Sequence, residues 1–248
     1  MYRKAKVYAV ILAGGQGSRF GDSVPKQFLP LDDNNCSALS MILTSFRRSD
    51  VVDNIIIVCH NAYHDLCQHE VNQVQVYQYS KKPMDIVNGG KTRQQSTYNG
   101  IKLIDDPNAI VLIHDGARPF VSQEVILQLV EKAFDYGAVN LVSPSVDTMV
   151  SSSDGQLMLG IADRRQLWRG LTPQAFRCNL LTHAHHLANK QQDHNATCDC
   201  SLVQKYTNQP VSLLVTNELS PKITYPHDIE LIKALCLIRD AQGQTNGS

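Results

Sequence analysis

The chain has 248 residues, 43% of them hydrophobic, a size near the upper limit for one hydrophobic core. Lys plus Arg and Asp plus Glu both number 23, so the formal net charge is zero. That balance argues against a nucleic-acid or membrane-surface binder, which needs a basic excess, and any cation acting on a ligand must be individually placed.

Residues 7–12 form a run of buried-strand type that leads straight into Gly14-Gly15-Gln16-Gly17. Residues 38–48 carry apolar side chains at helical spacing. Residues 54–58 predict a second strand and residues 63–71 a helix, while 73–79 alternate with period two and predict a third strand. The Gly89-Gly90 turn opens a helix over 92–103. A buried β-type run follows at 109–113. The helix predicted over 123–136 places Val125, Ile126, Leu129, Val130 and Ala133 on one side. Residues 139–144 predict another strand. In 148–161, Asp154-Gly155 separates two β-type runs, the signature of a hairpin. A helix is expected over 175–189, a strand over 212–215, and a last helix over 227–237, just after Pro226.

Strands apolar on both faces, alternating with helices, predict an α/β fold: a doubly wound, mostly parallel sheet with a protruding hairpin arm at about residues 146–164. No linker or repeat divides residues 1–240, read as one domain, and the polar residues 241–248 read as a disordered tail. The arm's apolar residues Met149, Val150, Leu157, Leu159 and Ile161 have no obvious place to pack on that sheet. The N-terminal Met-Tyr-Arg-Lys lacks a signal peptide's apolar segment, and the run at 7–12 is too short to span a membrane, so a cytoplasmic location is expected. Seven cysteines, an odd number without two closely spaced pairs, read as thiols rather than as a zinc site. Cys59 and Cys236 sit in apolar runs and are expected in the core.

The glycine loop carries the strongest functional signal. Glycines let backbone N–H groups face an anion, and Arg19 and Lys26 follow seven residues apart to neutralise phosphate charge. No Gly-Lys-Ser/Thr follows, which excludes a Walker loop, and Gly-Gly-x-Gly does not fit the dinucleotide fingerprint. On glycine count alone, a strand-to-loop turn with two surface cations remains the alternative. His114-Asp115 closes the run at 109–113, and the carboxyl end of a parallel strand is where ligands bind. Asp115 is thus a candidate for Mg²⁺ or for a substrate hydroxyl, with helix N-capping as the competing role. Arg118 is expected to pin the loop and His114 to be structural.

The glycine segment, with Pro25-Lys26-Gln27, resembles the nucleotidyltransferases that join a nucleoside triphosphate to a sugar phosphate. Within them it is most similar to the cytidylyltransferases of the methylerythritol-phosphate and ribitol-phosphate type. Further segments keep the resemblance in order over residues 6–235: Gly89-Gly90…Arg93…Ser96, His114-Asp115-Gly116-Ala117-Arg118-Pro119, Asp147-Thr148, Asp163-Arg164 and Leu171-Thr172-Pro173-Gln174. The resemblance implies a Rossmann-like fold, CTP and a polyol phosphate as substrates, a divalent cation such as Mg²⁺ at Asp115, and a homodimer in which the arm packs on a second subunit. It assigns the catalytic cations to Arg19, Lys26 and Lys222. The nucleotide falls to Leu12, Ala13, Gly14, Gly15, Gly17, Gly89, Gly90, Ser96, Asp115 and Gly116, and the acceptor to Thr148, Arg164, Thr172 and Thr197.

The acceptor stays open between two compounds. Leu167-Trp168 and Leu171-Thr172 resemble methylerythritol members. Thr197-Cys198-Asp199-Cys200-Ser201 is closer to some ribitol-phosphate members, because the methylerythritol type usually carries Thr-Asp followed by an acidic or small residue. The leading expectation is a cytidylyltransferase for 2-C-methyl-D-erythritol 4-phosphate, with D-ribitol 5-phosphate as the alternative. A non-catalytic nucleotide-binding scaffold is the reading of another class, opposed by the presence together of Arg19, Lys26, Asp115 and Lys222. A dinucleotide-binding oxidoreductase lacks the glycine spacing and an acid about 20 residues past the loop.

Overall fold

The computed structural model describes residues 1–15, 24–32, 35–76 and 82–241. In chain order the strands and helices are β1 (Val7–Ala13), α1 (Ala38–Arg48), β2 (Asn54–Cys59), α2 (His64–Val76), β3 (Met84–Asn88) and α3 (Arg93–Ile101). They continue with β4 (Ile110–Asp115), α4 (Gln123–Tyr136), β5 (Ala138–Pro144), β6 (Val150–Ser151), β7 (Gly160–Ile161) and β8 (Trp168–Arg177). The last are α5 (Cys178–Lys190), α6 (Asp199–Tyr206), β9 (Ser212–Val215) and α7 (His227–Ala241).

Seven strands make one sheet in the order β3-β2-β1-β4-β8-β5-β9. All pairings are parallel except those of β8, which runs antiparallel to both β4 and β5. The chain leaves β1 toward β2 and β3, then returns to lay β4 on the other side of β1. The strand order therefore reverses between β1 and β4, where an open α/β sheet leaves a crevice at its carboxyl edge.

Side chains alternate between the two faces. Val7, Ala9, Ile11 and Ala13 of β1 share a core with α1, α2 and α4, built on Leu39, Phe46, Val71, Ile126 and Leu129. Val10 faces the other core, with Ile101 of α3, Leu181 and Ala184 of α5, and Leu202 and Val203 of α6. A third cluster joins Ile229, Ile232 and Cys236 of α7 to Leu31, Ala117 and Phe120. Cys59 and Cys236 are both buried, and Cys198 and Cys200 form no disulfide. Among the described residues no helix is long and apolar enough to cross a membrane.

Two expectations need correction, and one helix was not foreseen. Helix α2 continues to Val76, so residues 73–76 are helical and the third strand is β3. Cys67, Glu70, Val71 and Val74 are buried at helical spacing, a pattern that prevails over the period-two alternation. Residues 77–79 of that expected strand lie outside the described residues. Residues 175–177 belong to β8, and the helix starts at Cys178. Strand β8 was concealed by Pro173, which cannot donate to a ladder. The structure accommodates it where β4 pairing stops at Gln174 and the β5 register shifts between Asn140 and Val142. Helix α6 had no counterpart in the reading of the sequence, and it starts inside the Thr197–Ser201 motif.

The hairpin forms as expected: β6 pairs antiparallel with β7, apart from the main sheet. Asp154 Oδ1 accepts from the N–H groups of Gln156 and Leu157 and fixes the turn. Met149, Val150, Leu157, Met158, Leu159 and Ile161 are all exposed. The last seven residues, 242–248, lie outside the described residues.

Helix α3 sits so close to the sheet that a Cβ on Gly100 would stand 2.6 Å from Val10 Cγ1 and 2.9 Å from Val58 Cγ2. Gly100→Ala gains about 1 kcal/mol of helix propensity but incurs about 1–3 kcal/mol of overpacking. The variant should therefore be destabilised in urea denaturation. A gain in stability would show that α3 has room to retreat.

Candidate active site

The carboxyl edge of the sheet gathers motifs that are far apart in sequence. The ladder register aligns Leu12 with Asp115, Ala13 with Cys59, and Cys59 with Asn88. The next residues along β1, β2, β3 and β4 are therefore Gly14, His60, Gly89 and Gly116, in one row at the crevice. Gly116 permits the closest approach: its N–H donates to Leu12 O at 2.9 Å, and a Cβ there would lie 2.9 Å from that oxygen and 3.1 Å from Ala13 Cα. A cavity of about 880 Å³ opens over this row. Its walls include Leu12, Gly14, Gly15, Gly89, Gly90, Ser96, Asp115 and Gly116, together with Lys26, Arg93 and Lys222. A smaller hollow of about 450 Å³ beside Gly137 and Arg177 lies at the other end of the strands and contains none of the motif residues.

Gln27, the last residue of Pro-Lys-Gln, is buried and donates to Ala13 O at 2.6 Å and Gly15 O at 3.2 Å. Its amide holds the exit of β1, and Lys26 next to it donates from Nζ to Ile223 O. On the opposite wall, Thr92 caps α3 by accepting from Gln95 N. Ser96 Oγ accepts from Gly90 N at 3.0 Å and donates to Thr92 O at 2.9 Å, and Gly89 N donates to Cys59 O at 2.7 Å. The Gly89-Gly90 turn is thereby fixed before any ligand arrives.

Asp115 is the electrostatic centre. Its Oδ2 lies 2.7 Å from Lys222 Nζ and 3.9 Å from Arg118 Nε, and its Oδ1 lies 3.4 Å from Arg93 Nε. Burial opposes ionisation, but Arg93 and Lys222 outweigh it and hold this carboxyl well below the usual carboxylate range. Arg93 also reaches Asp199, Nη1 to Oδ2 at 2.6 Å. Arg118 donates from Nη1 to Ser220 O at 2.6 Å, and Ile223 N donates to Ala117 O. Arg118 thus pins the segment that carries Lys222. His114, fully buried, completes a chain beneath the site. Asp115 N–H donates to Thr172 Oγ1, and Thr172 Oγ1 lies 3.1 Å from His114 Nδ1. His114 Nε2 is 3.0 Å from Arg118 O. Because that carbonyl only accepts, Nε2 carries the proton and Nδ1 accepts from the threonine hydroxyl.

The expected nucleotide residues Leu12, Gly14, Gly15, Gly89, Gly90, Ser96, Asp115 and Gly116 come together with Lys26 and Lys222. Ala13 is buried behind the wall. Gly17 and Arg19 lie outside the described residues. The four acceptor candidates do not line the cavity. Thr172 is buried beneath Asp115 with its hydroxyl engaged on both sides, while Thr148, Arg164 and Thr197 are exposed. Gln27 and Asp199 carry polar contacts that the sequence motifs left without a role.

A resident metal does not fit this donor set. Among the described residues no group of three or more His, Cys, Asp or Glu side chains could hold a metal ion. Asp115 offers one carboxylate, and each of its oxygens already faces a cation. The expected Mg²⁺ ligation by Asp115 would set a divalent ion against Arg93 and Lys222. Mg²⁺ requires few carboxylates when phosphate oxygens and waters complete its shell.

A family model, IspD: 2-C-methyl-D-erythritol 4-phosphate cytidylyltransferase, matches residues 7–237. The chain belongs to this family. Proteins of that name share 38% identity in Syntrophotalea carbinolica, over 92% of this chain and 95% of the relative, and 34% in Syntrophus aciditrophicus, over 93% and 96%. The crystal structure of 4-diphosphocytidyl-2C-methyl-D-erythritol synthase from Anaerococcus prevotii superposes with a TM-score of 0.77 at 25% identity, covering 93% of this chain and 96% of the other. The Thermus thermophilus 2-C-methyl-D-erythritol 4-phosphate cytidylyltransferase gives 0.71 at 27% identity, covering 91% and 96%. IspD proteins are nucleotidyltransferases, so the crevice at the carboxyl edge belongs to an enzyme of the cytidylyltransferase class.

Neutral His114 ties this IspD site to pH. Burial pushes its pKa from the ordinary 6.5 down to about 4. Between those values the unfolded chain binds a proton that the folded chain does not, so stability falls as pH drops from about 6.5 to about 4. The loss should reach about 3 kcal/mol, and Asp115 and Asp199, both held low, add theirs only below about pH 4. Denaturation midpoints at pH 7, 5.5 and 4.5 should decline in that order. A flat profile would mean that His114 is not buried as the neutral form.

Proposed function

We propose that the protein transfers a cytidylyl group from CTP to 2-C-methyl-D-erythritol 4-phosphate, in the cytoplasm and as a homodimer, as a step of isoprenoid precursor synthesis. The observation that carries this reading is the row of Gly14, Gly89 and Gly116 beneath Lys26 and Lys222, within a chain whose relatives carry that activity in their names. An oxygen of the acceptor phosphate attacks the α-phosphorus of CTP, and the bond to the β-phosphate bridging oxygen breaks to release pyrophosphate. The attacking oxygen is already an anion, so the protein's task is positioning and charge stabilisation rather than proton transfer. Lys26 and Lys222 approach the phosphates from facing segments, and Arg19 joins them by resemblance. Gly89, Gly90 and Ser96 read the cytosine edge, and Asp115 keeps Lys222 aimed. Mg²⁺ arrives on the triphosphate as part of the nucleotide substrate, held by phosphate oxygens rather than by a protein cage.

The acceptor side is assembled from Thr148, Arg164 and Thr197, while Thr172 holds the floor of the site. Thr148 and Arg164 flank the two ends of the exposed arm, so packing of the arm on a second subunit is what brings them to an acceptor. Relatives at 33–38% identity carry the methylerythritol name, which favours that acceptor over ribitol phosphate. A non-catalytic scaffold has no use for two lysines converging on one cavity.

Purified protein with Mg²⁺ and CTP should release pyrophosphate when given methylerythritol phosphate, and much less with ATP or GTP. Ribitol phosphate preferred by more than about 100-fold in kcat/KM would overturn the choice of acceptor, since a lone methyl is worth only about 1–3 kcal/mol. Lys26→Ala should lower kcat by about 10²-fold or more, with a smaller change in KM for CTP. Wild-type turnover in the folded variant would reduce Lys26 to a surface cation. Deleting residues 151–158 should leave a monomer in light scattering, and a persistent dimer would remove the arm from the interface.

A further inference from the structure

Asp199 is the first residue of α6, 1% exposed, and it does not line the cavity. It cannot touch a nucleotide, yet it stands at the root of a line of alternating charges that ends there. Its Oδ2 accepts from Arg93 Nη1 at 2.6 Å, Arg93 Nε lies 3.4 Å from Asp115 Oδ1, and Asp115 Oδ2 lies 2.7 Å from Lys222 Nζ. We propose that Asp199 is a positioning residue which, through Arg93 and Asp115, sets where the Lys222 ammonium stands. The proposal rests on the cytidylyltransferase reading for its catalytic consequence, but not for the relay itself.

The backbone of Asp199 is held independently of the cavity. Asp199 N donates to Gln174 Oε1 at 3.2 Å, and Gln174 Nε2 donates in turn to Asn140 Oδ1 at 2.9 Å. His185 Nε2, also buried, lies 3.5 Å from Asp199 Oδ1. Next to Arg93, Gln94 donates to Asp193 O at 2.7 Å and accepts from Ala196 N at 3.0 Å, so the segment before α6 is docked on the first turn of α3. The sheet through Gln174 therefore fixes the backbone of Asp199, and the Asp199 carboxylate meets the guanidinium.

The Arg93 guanidinium gives one contact to each of the two carboxylates and chelates neither. Held at Nη1 by Asp199, Arg93 reaches Asp115 only with Nε, and one Asp115 oxygen remains for Lys222. Released from Asp199, the planar fork is able to take both oxygens of Asp115, the bidentate geometry that guanidinium and carboxylate favour. Lys222 would then lose its acceptor and its aim. The Thr197-Cys198-Asp199 order gains a meaning here: the carboxylate stands at the buried position that meets Arg93, while Cys198 takes the N-cap and makes no side-chain capping bond.

A double-mutant cycle on D199N and K222M tests the relay, with each protein shown to be folded at the assay temperature by circular dichroism. Pyrophosphate release with CTP and methylerythritol phosphate should show D199N lowering kcat by about 10–100-fold, as for the loss of one aimed electrostatic group, with KM for CTP within about 3-fold. The double variant should be no slower than K222M alone within about 2-fold, because both changes act through the same ammonium. Losses that multiply would reduce Asp199 to a structural carboxylate, and D199E should recover part of the rate lost in D199N. If D199N does not fold, D199E, which moves the charge by one methylene, runs the same cycle. A readout without turnover separates the relay from the reaction. In protein labelled with ¹³C at lysine Cε, the Lys222 resonance, assigned by its loss in K222M, should shift in D199N or D199E. An unmoved resonance overturns the relay even if the enzyme is active. A wild type inactive with every acceptor overturns the reaction and leaves the resonance to decide the relay.

Discussion

One buried carboxylate organises the carboxyl edge of this sheet. Arg93 comes from α3, Arg118 from the turn after β4, and Lys222 from the segment before α7, and all three face Asp115. Without it their positive charges would repel one another. Asp115 owes its own place to β4 lying beside β1 at the reversal of strand order, and its backbone is tied down through Thr172 and His114. The polar chain beneath the site and the charged chain across it meet at this single residue.

The constraint extends to the chain on either side. Gly116 must let Leu12 O and Ala13 approach, because the N–H that binds Leu12 O also sets the direction in which Ala117 and Arg118 leave. Ala117 then receives Ile223 N–H, and Lys26 reaches Ile223 O from the other side. The segment carrying Lys222 is thus sewn between the exits of β1 and β4. Helix α7 completes the fixation by packing Ile229, Ile232 and Cys236 against Leu31, Ala117 and Phe120. A hydrophobic cluster at the end of the chain is what keeps a lysine in register with a loop near its start.

Part of this was legible in the sequence because two of the motifs directly follow strands. The runs at 7–12 and 109–113 are apolar on both faces, and Gly14-Gly15 and His114-Asp115 fall where those runs end. Lys222 and the hairpin were equally visible. What stayed hidden was set by tertiary contacts. Pro173 concealed β8, whose ladder tolerates it only because the register breaks there. The alternating Val-Gln run concealed the end of α2, because Val74 is buried as the continuation of a helical stripe from Cys67 and Val71. Gln27, Arg93 and Asp199 belonged to quoted motifs, but their partners lie 12 to 106 residues away, a distance that no local pattern spans. The placement of Thr172 shows the converse: a motif residue expected to meet an acceptor has its hydroxyl engaged in holding the floor of the site.

A neutral protein must make a binding site for a polyanion by arrangement alone. Lys26, Lys91, Arg93 and Lys222 line the cavity together with a single carboxylate, Asp115, so the described wall is strongly positive even though the whole chain is balanced. The two lysines nearest the proposed chemistry already have acceptors within the protein, Ile223 O for Lys26 and Asp115 Oδ2 for Lys222. Part of the cost of removing an ammonium from water is therefore met when the protein folds, not when the nucleotide arrives. In the proposed reaction a triphosphate entering this cavity would exchange acceptors on ammonium groups already in place, leaving little reorganisation for the moment of reaction.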